Sequence, residues 1–301
     1  MSEVKNLLFI VNKFSGTGYQ PKVEGRILTA CEKFDIECSI EFTRDRGHAT
    51  ELAKEGVTKN FNGIIAVGGD GTVNEVARGL LHVPTPMGII PKGSGNGLAR
   101  HLGISMKIEQ ALEQVLSGQS IQMDTFRLND HLSLNVSGIG FDGHVANLFG
   151  SGKKRGFWGY TKLVTREYFS YPEFECELQL DDEVKKTQKA FMIAVANSSQ
   201  YGNNARVAPL ASVMDQSLQL ALVKKVPAQR GFRFAFQMFT GKLETGKDYE
   251  CLAFQKGTIR LPTSSAFHVD GEPFGHASEF NIEVLPQSLN MIVPKTSLKK
   301  I

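Results

Sequence analysis

The most concentrated chemical signal in the chain is the sequence GGDGT at residues 68–72, which directly follows the apolar run 64–67. Its three glycines carry no side chains, so a phosphate group can come within hydrogen-bond distance of the backbone N–H groups. The residues after Thr72 have helical spacing, and the positive end of a helix dipole attracts the same anion. Asp70 is a residue type that binds magnesium directly or through water. The motif therefore predicts a phosphate site, although it is not a Walker A loop.

Three more polar loops follow strands of the same predicted sheet, and their sequences are NKFSG at 12–16, TRDRGH at 43–48 and GSGN at 93–96. Any one of them alone is more typical of a plain turn or cap. However, loops at the carboxyl ends of parallel strands gather at one edge of the sheet, where ligands bind. Four such loops together favour a ligand site over plain turns.

A pair of carboxylates flanks a glycine near the other end of the chain, in VDGEP at 269–273. An Asp-Gly pair alone usually indicates a turn. Here both carboxylates, Asp270 and Glu272, lie among apolar residues, which is unusual for a simple surface turn. A carboxylate in this setting can accept a proton from a hydroxyl group.

The elements that must position these loops alternate regularly over the first part of the chain. Because strand, loop and helix repeat, the pattern predicts a parallel sheet covered by helices on both faces. The predicted strands cover residues 7–11, 36–42, 64–67 and 87–90, and the predicted helices cover 23–34, 48–57, 72–81, 98–102 and 108–116.

From about residue 125 onward, strands are linked mostly to strands, which predicts an antiparallel sandwich or barrel. We expect a first domain over 1–124 and a second over 125–288, with the tail 289–301 able to return to the first. The predicted strands of this part cover residues 132–136, 174–180, 191–195, 218–223, 258–261 and 280–284, with two helices over 157–171 and 229–239.

Composition excludes several classes of protein. Hydrophobic residues make up 41% of the chain and charged residues 22%, which is too apolar for a disordered chain. The net charge of +3, from 34 basic and 31 acidic residues, argues against nucleic acid as a partner. The four cysteines have no C-x-x-C spacing, so we expect reduced thiols. We also expect a soluble cytoplasmic protein, because neither a signal peptide nor a long apolar run is present.

Taken together and in this order, the motifs resemble the diacylglycerol kinase catalytic family, and in particular the soluble bacterial lipid kinases related to sphingosine and ceramide kinases. The most specific segments are GGDGTVNEV at 68–76, PKGSGNGLAR at 91–100 and VDGEP at 269–273. The resemblance also covers residues 11–16, 43–49 and 138–143.

The resemblance implies an α/β plus β protein, with a phosphofructokinase-like parallel nucleotide domain followed by an antiparallel β-sandwich or barrel that takes the lipid. It implies an ATP- and Mg²⁺-dependent kinase acting on a lipid hydroxyl. Asp270 would be the general base, Glu272 would lie close by, and Asp70 would serve the ATP phosphates and the catalytic magnesium. The implied ATP-binding residues are Asn12, Ser15, Thr43, His48, Gly68, Gly69, Gly71, Thr72, Glu75, Gly93, Ser94 and Asn96.

Two departures from the family pattern bear on the acceptor and on a second metal. Diacylglycerol-type members carry an acid where this chain has Gly97, so a sphingoid base or ceramide stays open beside diacylglycerol. The family's acidic structural-metal loop keeps one carboxylate here, Asp215, which makes a structural metal a weak expectation.

A lipid acceptor requires transient contact with a membrane surface, and we expect this contact at the inner face of the membrane. The segment 153–158 places three cations beside Phe157 and Trp158, which suits an anionic interface; packing of both aromatic rings in the core is the equal alternative. Two other functions stay open: a kinase of the NAD kinase type with a soluble substrate, and a non-catalytic sensor of nucleotide or lipid. Oligomeric state cannot be derived from the sequence.

Overall fold

The computed structural model describes residues 5–16, 22–151, 157–181, 183–184 and 187–297, and it describes their side chains except at 150–161 and 184. The chain forms two units. The first runs to Asp124 and resumes at Pro286, and the second covers Thr125–Leu285.

The first unit is built from alternating strands and helices, as the sequence predicts. In chain order its elements are β1 (Asn6–Val11), α1 (Lys22–Lys33), β2 (Glu37–Phe42), α2 (His48–Thr58), β3 (Gly63–Gly68), α3 (Asp70–Leu80), β4 (Met87–Pro91), α4 (Gly97–His101), α5 (Ile108–Leu116) and the start of β5 (Gln119–Leu128).

The sheet of this unit has the order β4-β3-β1-β2, and every pairing in that series is parallel. All six residues of β3 are buried, because helices cover both faces of the sheet. The parallel arrangement places the ends of β1, β2, β3 and β4 at one edge, so the four predicted polar loops share that edge.

The second unit is mainly antiparallel. Its elements are the end of β5, β6 (His131–Ser133), β7 (Val136–Gly140), α6 (Phe141–Ser151), α7 (Phe157–Ser170), β8 (Phe174–Leu180), β9 (Glu183–Val184), β10 (Gln188–Ala190), β11 (Met192–Ala196), β12 (Leu218–Val223), α8 (Ala228–Thr240), β13 (Tyr249–Phe254), β14 (Lys256–Val269) and most of β15 (Glu272–Val293).

Five of these strands form the series β13-β12-β11-β7-β14, and β14 also pairs with β8 and β15. Alternate residues of the strands point into one core, whose largest fully buried side chains include Phe126, Phe254 and Phe280. The β-rich second unit is therefore confirmed.

Two predictions about this unit are wrong. Residues 132–136 do not form one strand, because β6 ends at Ser133 and β7 begins at Val136. Helix α6 is absent from the prediction, because its glycines are typical of a loop. Gly143 allows this helix to pack closely on β14, since a Cβ there would lie 2.3 Å from the carbonyl oxygen of Ala266.

The structure bears on the predictions about the cysteines and about membrane-spanning segments. All four cysteines are free thiols, and burial raises the pKa of Cys31 to about 12. Within the described ranges, no helix is long and apolar enough to cross a membrane. The predicted membrane contact at 153–158 lies outside the residues whose side chains are described.

Candidate phosphate site and candidate acceptor site

The first glycine loop leads from a buried strand directly into a helix that has no side-chain cap. β3 ends at Gly68, Gly69 is the N-cap residue, and α3 begins at Asp70. The first N–H groups of a helix have no partner within the helix, so this end is suited to bind an anion. Gly68 has to be a glycine for local packing, because a Cβ there would lie 2.5 Å from the Thr72 side chain.

Asp70 joins the first glycine loop to the second. Its Oδ2 accepts a hydrogen bond from the backbone N of Asn96 at 2.9 Å, and its Oδ1 accepts one from the backbone N of Gly97 at 2.9 Å. These two amides open α4, so the Asp70 carboxylate stabilises the start of that helix. The predicted metal residue therefore acts as a clamp between loops that are 26 residues apart in sequence.

The two glycine loops also touch through their backbones. A Cβ on Gly93 would lie 2.7 Å from the Cα of Gly69, which is closer than Cβ atoms approach other atoms in real proteins. Asn96 closes the second loop on itself, since its Nδ2 donates to the carbonyl oxygen of Gly93 at 2.8 Å and its Oδ1 accepts from the Gly93 N at 3.0 Å. Several glycines of the motif are thus required for contact between the loops, besides any contact with phosphate.

The loop after β1 reaches the same place. The Nδ2 of Asn12 donates to Thr72 Oγ1 at 2.9 Å, so Thr72 faces this loop and is not the helix cap. The carbonyl oxygen of Asn12 accepts from Ser15 Oγ at 3.0 Å and from Lys92 Nζ at 3.4 Å. Asn12, Ser15 and Thr72 therefore lie together, as the resemblance implies.

Lys92 is a candidate site residue that the sequence reasoning did not select, although it stands inside the quoted PKGSGN segment. Its backbone N donates to the Gly68 carbonyl at 2.7 Å, and its Nζ lies 3.4 Å from the Asn12 carbonyl oxygen, so the side chain lies against the loop after β1. Burial lowers the pKa of Lys92 from the ordinary lysine value because the charged form is partly desolvated. An ammonium group beside an uncapped helix N-terminus is suited to bind a phosphate oxygen.

The first turn of α2, which follows the loop after β2, is attached to α3 by Glu75. The Oε2 of Glu75 accepts from the backbone N of Ala49 at 3.3 Å, and its carbonyl oxygen accepts from Thr50 Oγ1 at 2.7 Å. His48 accepts from the Arg44 N through Nδ1 at 3.1 Å. Through these bonds Glu75 joins the first turn of α2 to α3, and His48 closes the loop after β2. Of the other predicted residues, Thr43 is buried, Ser94 is exposed on the second loop, and Gly71 is the second residue of α3.

The donor set fits a nucleotide triphosphate better than a metal held by protein alone. In the described part of the chain, no group of three or more His, Cys, Asp or Glu side chains could hold an ion. Magnesium commonly takes one or two carboxylates and completes its shell with phosphate oxygens and water, and Asp70 suits that arrangement. Asp215, the residue of the expected structural metal, closes a local turn, with Oδ1 accepting from the Ser217 N at 3.1 Å.

The second candidate site, in the other unit, is the turn between β14 and β15. Val269 pairs with Glu272, and Asp270 and Gly271 have φ angles of 50° and 84°, as a two-residue hairpin turn requires. The Asp270 carboxylate is anchored by three donors: Ser133 Oγ at 2.6 Å and the backbone N atoms of Leu134 and Asn135, each at 3.0 Å.

A buried polar network surrounds this turn, and the sequence reasoning missed it. Ser137 Oγ donates to Ser133 Oγ at 3.0 Å, and Ser198 Oγ donates to Asn135 Oδ1. The Nδ2 of Asn197 donates to the Leu134 carbonyl at 3.0 Å. The signal that could have revealed it is the presence of polar residues within the segment 132–136, whose apolar members favour a single strand.

His268 supports the turn from below and is itself 2% exposed. Its Nδ1 accepts from the Gly271 N at 3.1 Å, so the ring proton lies on Nε2. That atom is 2.9 Å from Asp142 Oδ2, at ion-pair distance but without the alignment of a hydrogen bond. Gly138 leaves room for the pair, because a Cβ there would lie 2.5 Å from His268 Nε2.

Both units match known families. Residues 6–128 match the diacylglycerol kinase catalytic domain, and residues 135–293 match the YegS C-terminal NAD kinase beta sandwich-like domain. The chain belongs to the kinase family in which these two domains are combined. The resemblance in the motifs is therefore confirmed, and so are the two-part fold class and the assignment as a kinase.

Members of the family with similar sequences carry lipid kinase names. A protein named "Probable lipid kinase YegS-like" from Chromohalobacter salexigens is 27% identical over 86% of this chain and 85% of its own. "Probable lipid kinase YegS" from Salmonella arizonae is 27% identical over 98% of both chains.

Solved structures agree in fold. A diacylglycerol kinase from Bacillus anthracis aligns with a TM-score of 0.77 at 22% identity, over 99% of this chain and 100% of its own. An NAD kinase from Archaeoglobus fulgidus in complex with ATP aligns at 0.55 and 15% identity, over 98% and 96% of the two chains.

Proposed function

We propose that this kinase transfers the γ-phosphate of ATP to the hydroxyl group of a lipid. The observation that carries the proposal is the pair of glycine loops clamped by Asp70 at the open N-terminus of α3. Phosphoryl transfer depends mainly on positioning and on charge neutralisation, and a clamped set of backbone donors supplies both.

In this mechanism different residues bind the phosphates, position the loops and accept the proton. The α3 N-terminus and the ammonium of Lys92 would bind phosphate oxygens, and the Asn12–Thr72 hydrogen bond would hold the loop after β1 in register with α3. Magnesium bound to the phosphates and Asp70 would neutralise the charge that develops on transfer. Asp270 would accept the proton of the acceptor hydroxyl, and Glu272 would lie next to it in the same turn.

The acceptor we propose is diacylglycerol or a related lipid, with a sphingoid base or ceramide as further members of the class. The lipid kinase names of the relatives support a lipid. A lipid acceptor and ATP meet at the inner face of the membrane, so we propose transient peripheral contact there.

The test is transfer of labelled phosphate from ATP in the presence of magnesium, against mixed micelles of diacylglycerol, monoacylglycerol, sphingosine and ceramide. NAD in aqueous solution serves as the parallel acceptor. We expect labelled phosphate in a lipid product and none in NADP. Label only in the aqueous product would indicate a soluble-substrate kinase, and no label in any product would indicate a nucleotide or lipid sensor.

A further inference from the structure

Helix α8 exposes a stripe of aromatic side chains. Phe232, Phe236 and Phe239 are exposed by 85%, 58% and 44%. Their spacing of four and three residues puts all three on one face of a helix that has 3.6 residues per turn. A contiguous apolar stripe of this kind is uncommon on a surface that faces only water.

The exposed stripe is not needed to hold α8 on the protein. The opposite face already packs, through Phe234 and Met238, against the buried cluster that includes Val207, Ala221 and Tyr249. Arg230 adds an ion pair with Asp248, with 3.0 Å between Nη2 and Oδ1. A surface helix ordinarily has one apolar face, and this helix has two.

The charged residues within the segment that contains α8 have one sign. From Lys224 to Lys242 the chain has five cationic residues and no acidic one, counting Lys225, Arg230 and Arg233 between the two ends. Arg233 is exposed, and its helical position is just beside the Phe stripe. The combination of an apolar stripe and a cationic rim is complementary to an anionic lipid surface.

We propose that α8 lies on an anionic bilayer, with the three Phe side chains in the boundary between headgroups and acyl chains. The proposal rests on the lipid kinase function proposed above, since it identifies the surface from which the acceptor is taken. At 13 residues, or about 20 Å, α8 is shorter than the roughly 30 Å hydrocarbon core and lies on the bilayer rather than across it. A second copy of the chain is less suited to cover this face of α8, because two α8 helices packed together would bring their positive charges close to each other.

The experiment is co-sedimentation of the full chain with vesicles, without ATP. We expect binding to phosphatidylcholine vesicles that contain about 30% phosphatidylglycerol, and weaker binding to pure phosphatidylcholine. The triple variant F232Q/F236Q/F239Q is expected to lose about tenfold or more in partition coefficient. Arg233→Gln is expected to lose about fivefold at low salt, and less at high salt.

The matched control is Leu28→Gln, which removes an apolar side chain of similar exposure (53%) from α1. It is expected to bind as the parent chain does, and thermal melting checks that every variant is folded. Equal vesicle binding by the triple variant and the parent chain would overturn the proposal. So would a dimer in solution that the triple variant dissociates, with no binding to vesicles.

Binding without turnover separates this proposal from the proposed function. Asp270→Asn is expected to bind vesicles as the parent chain does while losing phosphate transfer. Vesicle binding that depends on α8, in a chain that phosphorylates no lipid, would overturn the proposed function alone. Phosphorylation of lipid in mixed micelles, with vesicle binding unaffected by the triple variant, would overturn the role of α8 alone.

Discussion

Asp70 and Asp270 are both held by backbone N–H groups, but the donors come from different distances along the chain. Asp70 is bound by amides 26 and 27 residues away, in the loop that follows the neighbouring parallel strand. Asp270 is bound by amides 135 and 136 residues away. The candidate phosphate site is therefore a product of local α/β connectivity, whereas the candidate acceptor site depends on strands from across the antiparallel unit.

Gly93, in the loop that Asp70 binds, and Gly271, next to Asp270, are each required for a different reason. Gly93 is confined by contact, since a Cβ would meet Gly69 at 2.7 Å. A Cβ on Gly271 would have no atom within 4 Å, but the φ of 84° at this residue is one that side-chain-bearing residues rarely adopt. Contact restricts the first turn, and backbone conformation restricts the second.

The largest expected effect comes from Asp270→Asn, which removes the proposed base. We expect turnover to fall by about 10²-fold or more. Because an amide NH₂ would also face the N–H groups of Leu134 and Asn135, thermal melting should accompany the kinetics. The control is Ser133→Ala, which removes one hydrogen-bond donor to Asp270 and keeps the carboxylate. Its turnover should fall by less than about tenfold. Unchanged turnover in Asp270→Asn, or an equal loss in both variants, would contradict the assignment.

Substitutions at Gly93 and Gly271 should distinguish a cost that comes from steric contact from a cost that comes from backbone strain. Gly93→Ala is expected to cost roughly 1–3 kcal/mol through overpacking, and Gly271→Ala about 1–2 kcal/mol through left-handed strain. Asparagine tolerates a positive φ, so Gly271→Asn should recover most of the loss while Gly93→Asn should be worse than Gly93→Ala. Melting temperatures of the four variants test this. If asparagine raised the melting temperature relative to alanine at both positions, or lowered it at both, the two glycines would not differ in the way described.

The smallest expected effect concerns Lys92 and nucleotide affinity. Lys92→Gln should weaken ATP binding about fivefold, as expected for a partly exposed charge pair worth about 1 kcal/mol. Because burial lowers the pKa of Lys92, the free enzyme loses this positive charge at a lower pH than an ordinary lysine would allow. As the pH rises, ATP affinity in the parent chain should therefore begin to fall at a lower pH than an ordinary lysine would cause, and Lys92→Arg should move that fall to higher pH. Titration of ATP binding against pH measures both, and an identical profile in Lys92→Arg would exclude Lys92.

The first unit could be predicted almost completely from the sequence, because each loop, strand and helix of its site is contiguous. The helix after GGDGT is predicted to start at Thr72 and begins at Asp70, a small error at a helix end that has no side-chain cap. What the sequence did not reveal is that Asp70 reaches the second glycine loop. That contact depends on β3 and β4 lying side by side.

The second site was only partly predictable for a physical reason. VDGEP indicated a turn with two carboxylates, but its support comes from Ser133, Asp142 and Asn197, which no local pattern connects to residue 270. The same limit explains why α6 was missed. Its glycines favour a loop in isolation, whereas in the fold they admit close packing against β14.

The course of β15 has a consequence for how the molecule is made. This strand begins in the second unit and ends beside β4, where Met291 pairs in parallel with Met87. The first unit thus cannot complete its sheet during synthesis until residues near 291 have left the ribosome, some 200 residues after β4 itself. Such a long-range closure raises contact order and slows the last step of folding. Completion of the two units is therefore expected to be nearly simultaneous, because the first unit has to wait until the second has been synthesised.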